Sequence, residues 1–262
     1  MIHAALERYG VLPCKGDSMR ISRLIGFLFA AVALSAPCIS GAAPTAPLKD
    51  VLAAVEQGYA SLKDLQASFS QRAELVSVKM TQTGSGEVFI RKAGGPGAMF
   101  RFNYTKPPQQ IVSDGKTVWY WLPDSRQVMV MDAASLFAGG GGVALSYLTG
   151  MGQVSRDFTV RFVGDGRDSK GNYLLELVPK KPGQAFTKLH LTVAGRAVEE
   201  YQREGVATVF FPIVSSVVFD QLGNRTAIEF SKVKVNRGVN ASLFTFKIPA
   251  GAEVITNPLG NN

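Results

Sequence analysis

The sequence predicts a mainly β (α+β) protein: an incomplete antiparallel β-barrel, or strongly curved sheet, with a few helices packed on it. Three observations carry this. One amphipathic helical stretch opens the folded part, a long run of short period-two segments follows, and short Gly-rich turns of hairpin type separate them. A helical interruption halfway divides the run into two meanders.

The leader comes first. Residues 1–18, with Cys14, precede a basic start and are expected to be an upstream extension outside the mature protein. Residues 19–42 read as a secretory signal peptide. Met19-Arg20-Ile21-Ser22-Arg23 is basic, Leu24 to Leu34 is an unbroken apolar run, and Ser40-Gly41-Ala42 ends in small residues. The run is too short for a comfortable membrane span, and cleavage is expected after Ala42. Pro37 directly before Cys38 fits poorly with lipid attachment there, so the mature chain keeps neither of the two cysteines and its stability must come from its own core. Residues 43–262 are expected to form a single domain without a repeat.

Within it, PLKDVLAAVEQGYASL from Pro47 spaces Leu48, Val51, Leu52, Val55, Tyr59 and Leu62 by threes and fours, which predicts a helix. Leu65, Ala67 and Phe69 then alternate with polar residues. Strands are predicted at GEVFIR (86–91) and MFRFNY (99–104), where Phe100, Phe102 and Tyr104 share a face. The Asp114-Gly115 pair predicts a hairpin turn. The stretch 109–132 is apolar on two faces at once. Val118 and Tyr120 oppose Trp119 and Trp121, and Val128 and Val130 oppose Met129 and Met131. Period alone leaves open which face points inward.

Asp132 to Phe137 and Val143 to Leu148 are expected as short helices around Gly139–Gly142. Strands resume at Phe158–Val163, Tyr173–Val178, Leu189–Val193, Val214–Asp220 and Thr226–Val235, and Phe244 to Pro249 is expected as a last short strand.

Conventional chemistry is hard to place on this chain. His3 lies in the leader, and His190, beside Lys188 and Thr192 on one strand face, is expected to be solvated. Zinc sites and a Ser-His-Asp triad therefore lack their residues. Glu199-Glu200 sits in a charged run typical of wet surface. Gly139–Gly142 lacks the Lys-Ser/Thr of a phosphate loop, Lys116 is an ordinary turn residue, and Asp165 and Asp168 lack the acidic spacing of a calcium loop. The net charge of +8 is spread along the chain and does not form a nucleic-acid groove. Binding is expected rather than catalysis, with no catalytic residue, metal or cofactor.

The order of motifs resembles the periplasmic outer-membrane lipoprotein carrier proteins, the LolA family, from about Leu48 to Val254. The resemblance rests on LQASFSQ (65–71), GEVFIRK (86–92), MFRFNY, KPPQQIVSDGKTVWYW (106–121), LTGMGQVSRDFTV (148–160), YLLELVPK (173–180), DQLGNRTAIEF (220–230) and LFTFKIPAGAEVI (243–255). It implies a half-barrel with helices over the concave hydrophobic face, carrying the acyl chains of lipoproteins across the periplasm as a monomer. An inner-membrane ABC-type complex would release the cargo and an outer-membrane receptor would accept it. The family often has an Arg-Pro pair after the GEVFI-like strand, whose arginine holds the lid by hydrogen bonds to its backbone. Here Arg91-Lys92-Ala93-Gly94-Gly95-Pro96 stands in that place, so Arg91 and Lys92 are both candidates for the latch. The stretch 197–212 is longer than the family usually has, and its Val209-Phe210-Phe211 would line an enlarged cavity or extend a strand. A sensing module of the same half-barrel and a lipid-acting hydrolase are the competing readings. The first needs a further domain and the second a base that the chain lacks.

On this reading the cavity wall is expected from Phe89, Phe100, Phe102, Tyr104, Trp119, Trp121, Met129 and Met131. The lid is expected from Leu48, Val51, Leu52, Val55, Leu136, Phe137, Leu145 and Leu148, with Gly139–Gly142 either its hinge or an unstructured surface loop.

Overall fold

The structure is a computed structural model, and it describes residues 46–92, 98–133, 153–181 and 186–256. The expected helices at 132–137 and 143–148, the glycine run and the leader lie outside the described residues, apart from Asp132 and Ala133. Helix α1 (Leu48–Ala60) opens the chain. Six strands follow: β1 (Asp64–Leu75), β2 (Met80–Lys92), β3 (Ala98–Lys106), β4 (Pro108–Ser113), β5 (Thr117–Leu122) and β6 (Gln127–Asp132). After the short helix α2 (Val154–Asp157) come β7 (Phe158–Arg167), β8 (Tyr173–Pro179) and β9 (Phe186–Val193). Helix α3 (Gly195–Glu204) precedes β10 (Ile213–Asp220) and β11 (Arg225–Val235). A 3-10 turn (Ala241–Phe244) and β12 (Glu253–Thr256) complete the chain.

All twelve strands form one open sheet in the order β12-β6-β5-β4-β3-β2-β1-β11-β10-β9-β8-β7. Every pairing is antiparallel except β12 on β6. The sheet does not close, so the predicted mainly β, incomplete barrel is what the chain forms.

Tight turns set the hairpin registers. The Asp114 carboxylate accepts the backbone N–H of Lys116 and of Thr117, both at 2.8 Å, and Gly115 takes φ +94° as the turn requires. GDGRDSKGN and DQLGN close alike. Asp168 Oδ1 accepts from the backbone of Lys170 and Asn172, and Asp220 Oδ1 from Leu222 and Asn224. Each turn places a glycine, Gly171 or Gly223, at φ +81°. Asp168 of the first turn therefore serves its backbone.

Two segments depart from expectation. AVEEYQRE, expected as wet surface after an AGR turn, is the body of helix α3, with Ala197 and Val198 buried. Its chain then returns in coil past α1, so Val209-Phe210-Phe211 extends no strand. Phe211 is buried between Tyr59 (5.6 Å between ring centroids) and Phe230 (5.4 Å). Gly58 permits this approach, since a Cβ there would stand 2.5 Å from the Val209 carbonyl oxygen. The second departure is Phe244 to Pro249. It alternates like a strand but pairs with none, and the last strand is Glu253–Thr256.

Candidate functional site

Strand pairing sorts the side chains of β1 to β6 into cross-strand rows, because directly paired residues point the same way. One inner row is Leu65, Ile90, Phe100, Ser113, Val118 and Met131, and the next is Ala67, Val88, Phe102, Ile111, Tyr120 and Met129. A third row runs through Phe69, Gly86, Tyr104 and Gln109. Together they make an apolar wall. Phe69 meets Phe102 at 5.5 Å and Tyr104 at 4.8 Å, both edge to face. Gly86 is required here, since a Cβ would fall 1.9 Å from the Asn103 carbonyl oxygen on β3.

The rows of the other face are Gln66, Phe89, Arg101, Val112, Trp119 and Val130, then Ser68, Glu87, Asn103, Gln110, Trp121 and Val128. The eight residues expected to share one wall are therefore split. Phe100, Phe102, Tyr104, Met129 and Met131 are on the inner face, while Phe89, Trp119 and Trp121 point the opposite way. The C-terminal segment covers the second apolar face. Phe246 stacks on Trp119 with centroids 6.1 Å apart, Arg101 Nη1 donates to the Leu243 carbonyl at 3.1 Å, and Phe244 is buried.

Helix α1 lies on the inner wall. Val51 and Val55 are buried in the same core cluster as Leu65, Ile90 and Phe100, with Leu48 and Leu52 half-buried beside them. These are four of the residues expected as a lid; Leu136, Phe137, Leu145 and Leu148 fall outside the described residues. Adjacent residues on a strand point to opposite faces, and this separates the two expected latch cations. Lys92 faces α1, and its Nζ donates to the carbonyls of Tyr59 (2.7 Å) and Ala60 (3.0 Å) at the helix C-terminus. A cation there satisfies end carbonyls and opposes the helix dipole. Burial pulls the Lys92 pKa below the ordinary lysine value. Arg91 instead reaches the Val239 carbonyl at 3.4 Å, away from α1.

The same helix carries a strained feature. The Tyr59 hydroxyl is buried, and among the described residues it has no hydrogen-bond partner. Burial raises its pKa well above the usual phenol value. An unpaired buried hydroxyl costs about 1–3 kcal/mol, so α1 is held by its apolar stripe and by Lys92 against a standing polar penalty.

A charged knot that the sequence did not reveal sits on the far half of the sheet. Glu176, 6 % exposed, accepts from Arg161 Nε (2.8 Å) and Lys188 Nζ (3.0 Å) and pairs with His190 Nε2 at 3.0 Å. His190 is therefore not a solvated strand residue; it is half-buried and lies edge-on to Phe219 at 4.8 Å. The hydrogen bond from His190, then those from Arg161 and Lys188, hold the Glu176 carboxyl down at about 2, below its ordinary 4.5. A depressed folded-state pKa gives stability that is complete above 4.5 and lost as pH falls toward 2. Glu176→Gln should cost about 1 kcal/mol at neutral pH, a figure discounted because Arg161 is largely exposed. Its gap from the parent protein should close between pH 4.5 and 2 in urea unfolding. A gap that stays constant with pH would remove the linkage. Nothing in the knot faces the wall, and its part is structural.

Among the described residues no group of His, Cys, Asp and Glu side chains assembles a metal site, and no helix is long and apolar enough to cross a membrane. What remains is a closed apolar wall under a helix with one cationic tether.

Comparison with known proteins bears on this arrangement. Residues 60–203 match the family model described as outer membrane lipoprotein carrier protein LolA. The outer-membrane lipoprotein carrier protein of Dechloromonas aromatica is 30% identical over 229 residues, covering 85% of this chain and 95% of that protein. The protein of the same description from Leptothrix cholodnii is 29% identical, covering 89% and 96%. Among solved structures, a LolA superfamily protein from Nitrosomonas europaea is similar at a TM-score of 0.38 and 14% identity, over 77% of this chain and 99% of that one.

Proposed function

Because the chain belongs to the outer membrane lipoprotein carrier (LolA) family, we propose that it shields the acyl chains of lipoproteins on their way through the periplasm and performs no catalysis. It takes cargo released from the inner membrane by an ABC-type complex and yields it to an outer-membrane receptor. Exposing hydrocarbon to water costs about 0.8 kcal/mol per CH₂, so a chain of ~16 carbons represents on the order of 12 kcal/mol and needs a cover. The observation that carries the reading is the pair of apolar inner rows shut beneath α1. An empty wall of that size left open would invite aggregation, and α1 is the element that closes it.

In this reading α1 is the lid and Lys92 its latch. The unpaired Tyr59 hydroxyl supports a lid that is ready to move, because lifting α1 returns that group to water. Lys92→Met should lower the protection of α1 amides in hydrogen exchange about fivefold, the loss of about 1 kcal/mol of tethering. Tyr59→Phe should raise it by a similar factor by removing the unpaired group. Equal protection in the parent and both variants would refute the lid.

The function itself is tested by purifying the chain from a periplasmic extract and identifying bound molecules by mass spectrometry. Acylated lipoproteins are the expected cargo. A delipidated protein that takes up none from membranes, even with the releasing complex supplied, would overturn the reading.

A further inference from the structure

The inner wall does not stay apolar along its whole length. Past the row of Phe69 and Tyr104, β1 continues on the same face with Gln71, paired to Gly84. Here the sheet holds an open hollow of about 560 Å³ lined by Gln71, Gln82, Thr83 and Gln109 with Tyr104 and Tyr120, while Ile111 and Tyr104 join it to the apolar core. None of its lining residues is charged.

The polar groups are arranged. Tyr104 donates its hydroxyl proton to Gln71 Oε1 at 2.7 Å, and Tyr120 donates to Gln109 Oε1 at 2.7 Å. Burial, and to a lesser degree the neighbouring Tyr120, push the Tyr104 pKa up to about 12, so that hydroxyl remains a donor. Each glutamine oxygen already accepts one tyrosine proton and keeps a second lone pair, while the N–H₂ end of each amide only donates. Amide N–H₂ donors in an uncharged, half-enclosed site suit carbonyl acceptors. A phosphate is held best by a cation, and the lining supplies none.

We propose that this hollow is a subsite for the ester- and amide-bearing junction of an acylated polypeptide, the neutral head from which the fatty chains run onto the apolar rows. It rests on the carrier reading above and adds selectivity to it. Carbonyl groups at the head of the cargo are met by glutamine donors, while the phosphate of a membrane phospholipid with the same chains finds no partner. The carrier would thereby avoid filling with bulk lipid.

The test compares two probes with matched palmitoyl chains on the delipidated protein: a short synthetic peptide carrying a dipalmitoylglyceryl group on its N-terminal, N-acylated cysteine, and dipalmitoylphosphatidylglycerol. The lipopeptide should bind at least about tenfold more tightly. Gln71→Leu with Gln109→Leu should cost the lipopeptide about tenfold without changing the binding of hexadecanol, which has no carbonyl. Gln82→Lys, at an exposed position, should strengthen phosphatidylglycerol selectively. Equal affinity of the two probes, a double leucine variant that leaves the lipopeptide unchanged, or a Gln82→Lys variant that shifts both probes alike, would overturn the subsite while leaving the carrier reading standing. Failure of the lipopeptide to bind the parent protein at all would remove both.

Discussion

Phe102→Ala should lower the free energy of unfolding by about 4 kcal/mol, measured in urea. Phe102 is 3 % exposed and stands in the second inner row between Val88 and Ile111. Its ring meets Phe69 edge-on at 5.5 Å, Phe100 at 6.2 Å and Tyr104 at 6.5 Å. Truncation removes the transfer energy of the ring and leaves a void that three other rings border. Phe102→Leu, closer in volume, should cost under about 1.5 kcal/mol. Phe89, one position from Val88 but on the opposite face and half-buried, gives the internal control: Phe89→Ala should cost about half as much or less. If both truncations cost the same, the assignment of the inner face is wrong.

Removing residues 241–262 should increase self-association relative to the parent chain. The deletion strips Phe244, Phe246 and β12, and with them the cover over Trp119 and the parallel partner of β6. An apolar face of aromatic and β-branched side chains and a bare strand edge would then meet water side by side, and both favour self-pairing. Sedimentation should show dimers or larger species at micromolar concentration. The only two tryptophans of the chain, Trp119 and Trp121, both lie on that face. Their emission should shift to the red in any monomer that remains. Phe244→Ala with Phe246→Ala should reproduce the shift in milder form. A truncated chain that stays monomeric with unchanged emission would show that the segment is ornament.

Most strands were legible because alternation survives wherever one face is buried. β3 is clear for that reason, with Phe100, Phe102 and Tyr104 against Arg101 and Asn103. The hairpin of β5 and β6 was legible as strands but not as faces, since a period of two reads the same in either direction when both sides are apolar. The face is decided by Phe246, more than a hundred residues away. The same remoteness hid the partners of the two cations after β2. Arg91 and Lys92 are adjacent cations in sequence, and strand parity sends Lys92 to α1 and Arg91 to Val239. Helix α3 was missed because it is short and most of its residues are charged or polar. Ala197 and Val198 are its buried residues, and the helix stands because α1 lies against it rather than by its own propensity. The Glu176 knot is drawn from three strands, so its members, at 161, 176, 188 and 190, share no local pattern. Phe244 to Pro249 misled in the other direction. Its alternation comes from lying one-sided on Trp119, and no ladder partner is involved.

The strand order has a consequence for how the chain assembles. From β1 to β6 and from β7 to β11, every antiparallel neighbour in space is also a neighbour in sequence. Two meanders can each zip up from local hairpins. Only β1 against β11, with Leu65 opposite Val235, joins them. That seam runs down the middle of the finished sheet, and forming it means closing a loop of most of the domain, which is the entropically slow kind of contact. The last step toward a continuous sheet is therefore the stitching of two nearly complete halves, and it waits until the C-terminal quarter of the polypeptide is present.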